Sequence, residues 1–202
     1  LGCFDSEAET QDDLEAVRKK SIQIMAQVPV IVAAFHRLRQ GKELLESDNS
    51  LGEAANFIWL ITGNKPSEDM ERTMDICYIL HADHGFNAST FSGRVTIATL
   101  SDVYSAVTSA IGTPKGPLHG GANEGVIKML EEIGSVDKVD AYIEDALANK
   151  RKIMGIGHRI YKVLDPRAPH LKRMARKLTE ELGEPKWVQM SERIAQLMEE
   201  RK

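Results

Sequence analysis

The chain turns on Gly116-Pro-Leu-His119-Gly-Gly-Ala-Asn-Glu124, where a histidine stands directly before a glycine pair and a helical apolar pattern (Val126, Ile127, Met129, Leu130) begins just after it. Pro114, Gly116 and Pro117 break any helix that arrives from upstream. Gly120 and Gly121 allow a tight turn or a close approach of the backbone to a ligand. His119 is therefore expected at a helix N-terminus, beside unpaired backbone N–H groups. The positive end of the helix dipole there favours neutral imidazole over imidazolium. A neutral imidazole can donate a hydrogen bond to a carbonyl and stabilise an enolate-like oxygen. Read alone, the stretch also suits a plain Gly/Pro loop with a capping histidine.

Working outward, the rest of the chain has helical periodicity almost throughout. Residues 12 to about 40 carry apolar positions at Leu14, Val17, Ile22, Met25, Val28, Ile31, Val32, Phe35 and Leu38, and Pro29 is expected to kink this segment or to start a second helix. Residues 51–61 show a broad apolar face closed by Thr62-Gly63-Asn64, and Pro66-Ser67 opens a helix that runs toward His84. Two shorter helices are predicted over 87–100 and 102–111, with Ser101 as the N-cap between them. Downstream of the quoted stretch, Gly134 closes one helix and Ser135 caps another that reaches about Ala148. Residues 150–161 break the pattern and read as loop or short extended structure. Helix resumes over 166–182 with Lys172, Arg173, Arg176 and Lys177 on its polar side, and a last helix follows Gly183-Glu-Pro185. No strand-period stretch of useful length occurs, so the expected class is all-α. The Gly/Pro-rich zone at 112–121 marks the expected domain boundary, giving one domain over 1–112 and another over 113–202.

The bulk composition bounds the function. The 202 residues are 42% hydrophobic and 28% charged, with a net charge of -4, as in ordinary globular domains. No basic excess exists to replace phosphate counterions, which argues against nucleic acid as a partner. Cys3 and Cys77 stand far apart in no metal or redox spacing, so unpaired thiols in a reducing, cytoplasmic setting are expected. No contiguous apolar run approaches the roughly 20 residues of a membrane-spanning helix, and Asp5, Glu7 and Glu9 are acidic where a secretory signal would be basic. The opening Leu1-Gly-Cys-Phe4 lacks an initiator methionine and reads as a cut into a longer chain.

Two further constellations carry possible chemistry. In Ile79-Leu-His81-Ala-Asp-His84-Gly-Phe-Asn87-Ala-Ser89, His81 and His84 share a helix face at near metal-ligand spacing, but no third ligand follows at a convincing distance. Anion binding by His84, Asn87 and Ser89 is one reading, and a hydrogen-bonded interface histidine is the other. In Gly155-Ile-Gly157-His158-Arg-Ile-Tyr-Lys162-Val-Leu-Asp165-Pro-Arg167, two glycines flank one residue as in nucleotide-binding loops, without the preceding strand of a dinucleotide fold. Backbone N–H groups beside Lys152, Arg159 and Lys162 suit a phosphate and an adenine edge. Arg167, at a helix start, can hold a carboxylate through two parallel hydrogen bonds. A solvated basic loop is the plainer alternative. Three Gly-flanked histidines and an arginine together point to one site for a ligand with carboxylates and a carbonyl, and to a second ligand with phosphates.

The strings Leu80-His-Ala-Asp-His84, Gly116-Pro-Leu-His119-Gly-Gly-Ala-Asn-Glu124 and Gly155-Ile-Gly-His158-Arg-Ile-Tyr-Lys-Val-Leu-Asp-Pro-Arg167 resemble, in order and spacing, the three central motifs of the citrate synthase family in its bacterial and archaeal form. The similarity extends along essentially the whole chain. The resemblance implies a multi-helical fold of two-domain subunits paired as homodimers, here with part of the large domain and most of the small, CoA-side domain. It implies condensation of acetyl-CoA with oxaloacetate to give citrate and CoA, without a metal. On that resemblance His119 matches the histidine that hydrogen-bonds the thioester carbonyl during enolisation, and His158 the one that polarises and protonates the oxaloacetate carbonyl. His84 and Arg167 match oxaloacetate ligands. Ile153, Met154, Gly155, Ile156 and Gly157 match the loop that receives the CoA adenine, Lys162 a basic CoA contact, and Ser89 a residue that orients the catalytic histidine.

The resemblance also implies what this chain lacks. The family's base is an aspartate in an Asn-Val-Asp-like motif beyond the third histidine. After Arg167 the sequence offers Glu180, Glu181, Glu184, Glu192, Glu199 and Glu200, none in a matching context. Two further oxaloacetate-binding arginines and the first large-domain helices are missing as well. The chain therefore reads as a central segment with negligible condensation activity of its own. Within the family, 2-methylcitrate synthase, which takes propionyl-CoA, is the alternative, because one methylene in an acyl pocket discriminates only modestly. Outside it, the alternative is a non-catalytic helical binding module.

Overall fold

The computed structural model describes residues 1–7, 13–82, 85–117, 119–157 and 165–201. Among them every regular element is helical: α1 (Leu14–Arg39), α2 (Glu53–Thr62), α3 (Glu68–Ala82), α4 (Ala88–Ile97), α5 (Val103–Gly112), α6 (Gly121–Ile133), α7 (Val139–Ala148), α8 (Ala168–Glu181) and α9 (Lys186–Glu199), with 3₁₀ turns at Gly2–Phe4 and Val136–Lys138. The fold is all-α, as the periodicity predicts. The chain divides into two compact units, Leu1–Pro114 and Lys115–Lys202.

In the first unit α1 packs on α2 and α5, α2 on α3, and α4 on α5. Asp13 caps α1 by accepting a hydrogen bond from the Glu15 amide at 2.9 Å. Of the two outcomes expected at Pro29, the start of a second helix does not occur: α1 runs through it as one helix. Proline removes one backbone hydrogen bond, but buried residues lie on both sides of it, Ile24 before and Ala33 and Arg37 after. Arg37 then ties the last turn of α1 to its surroundings, donating to the carbonyls of Glu43 (2.6 Å) and Ile61 (3.3 Å).

α1 also corrects the reading of membrane-spanning potential. It has 26 residues and an 18-residue window of mean hydropathy 1.3, long and apolar enough by length and composition to cross a bilayer. A search for contiguous apolar residues misses this because Gln23 and Gln27 interrupt the run, whereas an average tolerates them. Among the described residues 17% of that window is buried.

Capping explains the other boundaries. Ser67 accepts from the Met70 amide at 3.2 Å and opens α3. Asn87 accepts from the Thr90 amide at 2.8 Å and opens α4. The cap of α5 is Asp102 rather than the expected Ser101: its carboxylate takes the Ser105 amide at 2.9 Å and the Ser105 hydroxyl at 2.6 Å. The carboxylate holds two donors at once, and α5 accordingly starts at Val103. Ser135 precedes the 3₁₀ turn, and α7 starts only at Val139.

The second unit has its own core, built from Leu130 and Ile133 of α6, Val139 and Ile143 of α7, and Met190 and Ile194 of α9, all buried. α9 packs against α6, α7 and α8. Arg193 fastens α9 to α7 with two parallel hydrogen bonds to the Asp140 carboxylate, at 2.8 and 2.5 Å.

Candidate active site

Two of the candidate groups in the second unit, His119 and the loop at 153–157, are placed by α6. The amide of His119 donates to the carbonyl of Gly116 at 3.0 Å, closing a turn that delivers the chain to Gly120, the N-cap. His119 is thus one residue ahead of the cap and half-buried, as the sequence suggests. The glycine pair does not serve the turn. Gly120 has φ -81, and Gly121 is outside the left-handed region, with ordinary contact to Pro117 Cβ at 3.6 Å. Any residue could adopt that backbone, so conformation does not require glycine at either position. Glu124, in the first turn of α6, pairs with Lys128 at 2.5 Å. The hydrogen bond from Lys128 holds its carboxyl below the ordinary range, and a negative charge suits this end of the helix.

The loop at 153–157 lies against the second turn of the same helix. Ile153 is buried in the core, and Met154 and Ile156 pack on its edge. A Cβ placed on Gly125 would meet Met154 Cε at 2.6 Å, and one on Gly155 would meet Val126 Cγ2 at 3.0 Å. Gly155 and Gly157 sit at φ 80 and 79, conformations that favour glycine. α6 therefore carries His119 at its start and seats this loop one to two turns later.

Arg167 is the N-cap of α8. Its side chain is clasped by Asp165: Nε donates to Oδ1 at 3.0 Å and Nη2 to Oδ2 at 2.7 Å. The Arg167 amide also donates to Asp165 Oδ1, at 2.9 Å, while the Ala168 amide donates to the Asp165 carbonyl at 2.9 Å. This is an Asx turn that starts the helix. Sequence reasoning gave Asp165 no role, although an aspartate directly before Pro166 at a helix start was the available signal.

Ser89 belongs to the first unit. It is the second residue of α4, half-buried, and its hydroxyl donates to Asn87 Oδ1 at 2.7 Å. His81 is exposed, and its Nδ1–H donates to the Cys77 carbonyl at 2.6 Å in its own helix. His84, His158 and Lys162 lie outside the described residues. Among the described residues no three His, Cys, Asp or Glu side chains gather as a metal site.

Comparison with known proteins bears on this arrangement. The family model described as "Citrate synthase, C-terminal domain" matches residues 1–202. Citrate synthase 2 of Bacillus subtilis is 52% identical over 98% of this chain and 53% of its own length. 2-Methylcitrate synthase 1 of Corynebacterium glutamicum is 41% identical over 100% of this chain and 54% of its own. Among solved structures, citrate synthase of Thermotoga maritima superposes with a TM-score of 0.78 at 41% identity, covering 93% of this chain and 51% of its own. The Thermoplasma acidophilum enzyme, solved as a ternary complex with carboxymethyl coenzyme A and oxaloacetate, gives 0.85 at 32% identity, covering 94% and 50%. The chain thus spans about half the length of the relatives it matches.

Proposed function

The chain belongs to the citrate synthase family, and from that premise we propose that it supplies most of the CoA-side machinery of a citrate synthase, which condenses acetyl-CoA with oxaloacetate and water to citrate and CoA. The observation that carries the reading is the double use of α6, with His119 ahead of its N-cap and the 153–157 loop seated on Gly125 and Val126.

The chemistry needs these residue types. Methyl protons of a thioester are weakly acidic, so a base must act while the carbonyl oxygen is stabilised. His119 donates its imidazole N–H to that oxygen as the enolate forms. His158 polarises the oxaloacetate carbonyl and protonates the alkoxide as the carbon–carbon bond closes. His84 and Arg167 hold the oxaloacetate carboxylates. Ile153 to Gly157 receive the adenine of CoA, Lys162 meets its phosphates, and Ser89 orients the catalytic histidine. Water then hydrolyses citryl-CoA. The glycine pair at 120–121 fits close passage of the acyl group over the helix start. Charge is met by imidazoles and arginine, with no metal. Exposed Met25, Phe35 and Leu38 of α1 and Phe91 of α4 leave apolar surface that suits a protein partner, read here as a second copy of the chain in a homodimer, and the two widely spaced thiols fit the cytoplasm; no nucleic-acid or membrane partner is part of the reading.

Since the catalytic aspartate of the family has no counterpart here, the chain alone turns over negligibly. Calorimetric titration with CoA tests the reading: saturable binding is expected, with no condensation when oxaloacetate and acetyl-CoA are mixed with the chain. Absence of CoA binding would favour the non-catalytic helical module. Family-like turnover would overturn the assignment of the base. The 2-methylcitrate synthase likeness at 41% identity keeps propionyl-CoA as the second acyl substrate to compare in the longer enzyme.

A further inference from the structure

We propose that Arg151 is a positioning residue for the loop at 153–157: one guanidinium grips α6 and α7 together, so that the backbone just ahead of Ile153 leaves α7 in a fixed direction. The inference rests on the reading of that loop as the receiver of the CoA adenine. Arg151 meets three groups. Its Nη2 pairs with Asp145 Oδ2 of α7, its Nη1 stands 3.8 Å from Glu132 Oε1 of α6, and its Cζ lies 5.0 Å from the centroid of the Tyr142 ring. Each partner is itself held. The Asn149 side-chain amide donates to Asp145 Oδ1 at 2.8 Å, and the Tyr142 hydroxyl donates to Glu132 Oε2 at 2.9 Å. A planar cation that stacks on an aromatic face while bonding carboxylates at its edge has little rotational freedom left.

The backbone at the same place is over-determined. Lys150 has φ 53, the left-handed conformation in which helices commonly end on glycine. Here a lysine takes it, and two amides close the turn: Lys150 donates to the Leu147 carbonyl at 3.1 Å and Arg151 to the Ala146 carbonyl at 2.7 Å. A residue other than glycine persists in that conformation only where its surroundings impose it. Ile153, two residues on, is buried, and the rest of the loop follows directly. The seat on Gly125 and Val126 fixes the loop at Met154 and Gly155; the Arg151 grip fixes its base. A loop ordered in advance loses less freedom when a ligand binds. The Arg151 side chain is 42% exposed, so loss of its pairs should be felt in the loop rather than in global stability.

Arg151→Met and Tyr142→Phe test this in the 202-residue chain. Methionine keeps an unbranched side chain over the Tyr142 ring but carries neither charge nor donors. Phenylalanine keeps the ring under the guanidinium and loses only the hydroxyl bond to Glu132, a contact between the same two helices. Methyl NMR reads Met154 and Ile156 in the loop and Ile143 in the core. In Arg151→Met the Met154 and Ile156 methyls should shift and gain mobility, while Ile143 and the melting temperature stay as in the wild type. Tyr142→Phe should leave the loop methyls in place. Unchanged loop methyls in Arg151→Met, a shift that spreads to Ile143, or equal changes in the two variants would overturn the positioning role. The ligand arm uses adenosine 3′,5′-bisphosphate, the nucleotide end of CoA, whose proposed contacts at 153–157 and Lys162 all lie within this chain. It should shift the wild-type loop methyls saturably and bind Arg151→Met about fivefold more weakly. No shift in the wild-type chain would overturn the reading of the loop as the adenine receiver, and the inference with it. Equal affinity for the two chains would overturn the positioning role and leave that reading standing.

Discussion

Replacing Gly155 with alanine should destabilise the second unit by about 2–3 kcal/mol, the sum of a backbone and a contact effect. The backbone effect comes from φ 80, where a Cβ costs on the order of 1 kcal/mol. The contact effect comes from Val126 Cγ2, 3.0 Å from the new methyl. Val126 is β-branched on a helix, so its χ1 is essentially fixed, and it packs against the core. It cannot swing aside, and relieving the overlap by moving loop or helix adds about 1–2 kcal/mol. For a unit of this size that is a fall of about 10–20 °C in melting temperature. Two controls isolate the contact. Gly157→Ala shares the backbone effect at φ 79 but meets nothing within 4 Å, so it should lose only about 1 kcal/mol. Gly125→Ala puts a methyl 2.6 Å from Met154 Cε, the far end of a flexible side chain that can move, and it gains helix propensity of up to about 1 kcal/mol. It should be near neutral. Melts followed by Trp187 fluorescence, with Trp59 replaced by phenylalanine, report on the second unit, because Trp187 packs on its core. Equal melting temperatures for the alanines at 155 and 157 would refute the claim that the loop is seated on Val126.

Three other perturbations follow from the same geometry. Asn87→Ala removes the α4 cap and the acceptor of the Ser89 hydroxyl; it should cost about 1 kcal/mol and speed hydrogen exchange at the Thr90 amide, whereas unchanged exchange would contradict the cap. Ile143 is fully buried, so Ile143→Ala should lower the urea-unfolding free energy by about 3–4 kcal/mol, and a loss below about 1 kcal/mol would show that the α7–α9 core is not packed as described. Asp140 is held below the ordinary carboxyl range by its hydrogen bonds from Arg193, and Asp48 well below it by the Ser50 hydroxyl and Lys65. Folded values depressed below the unfolded value of about 3.9 give stability that is present above that pH and lost as pH falls through the folded values. Melting temperature should therefore decline as the pH drops below about 4, and Asp140→Asn, already weaker at neutral pH, should decline less; parallel curves for variant and wild type would sink this assignment.

The periodicity at Leu14, Met25, Val28, Val32 and Phe35 was enough to predict a helix because only a 3.6-residue period aligns those positions. It could not predict that the helix survives Pro29. That depends on burial of Ile24, Ala33 and Arg37 against the rest of the unit, which involves residues distant in sequence. The same limit applies at Ser101 and Asp102. Both are good caps by type, and the choice falls to the residue whose side chain reaches the amide and hydroxyl of Ser105 together. At the candidate site, His119 was legible because Pro117 and the start of the apolar pattern bracket it on both sides. The seating of the 153–157 loop was not, since Gly125 and Gly155 are thirty residues apart and the absence of a side chain carries no periodic signal. Asp165 is hard to read for another reason. Its role is carried by one local turn, for which an aspartate ahead of Pro166 is the sole mark in the sequence.

The contacts of α6 make a single argument about why the site should be accurate. Its last turn is anchored by Leu130 and Ile133 in the core, its second turn carries the loop through Gly125 and Val126, and its first residue follows Gly120, the cap next to His119. One rigid element thus transmits the order of the core to two groups proposed to meet the two ends of the same acetyl-CoA, its thioester and its adenine. Rigid helices hold such groups more accurately than loops do. A change that tilts α6 should therefore disturb His119 and the loop together, whereas a change confined to the loop should leave His119 in place. Ile133→Ala and Gly157→Ala make that pair: the first should alter the NMR environment of both His119 and Met154, the second that of Met154 alone. A His119 signal that is indifferent to Ile133→Ala would mean that its position is set by the turn at Gly116 and not by the helix.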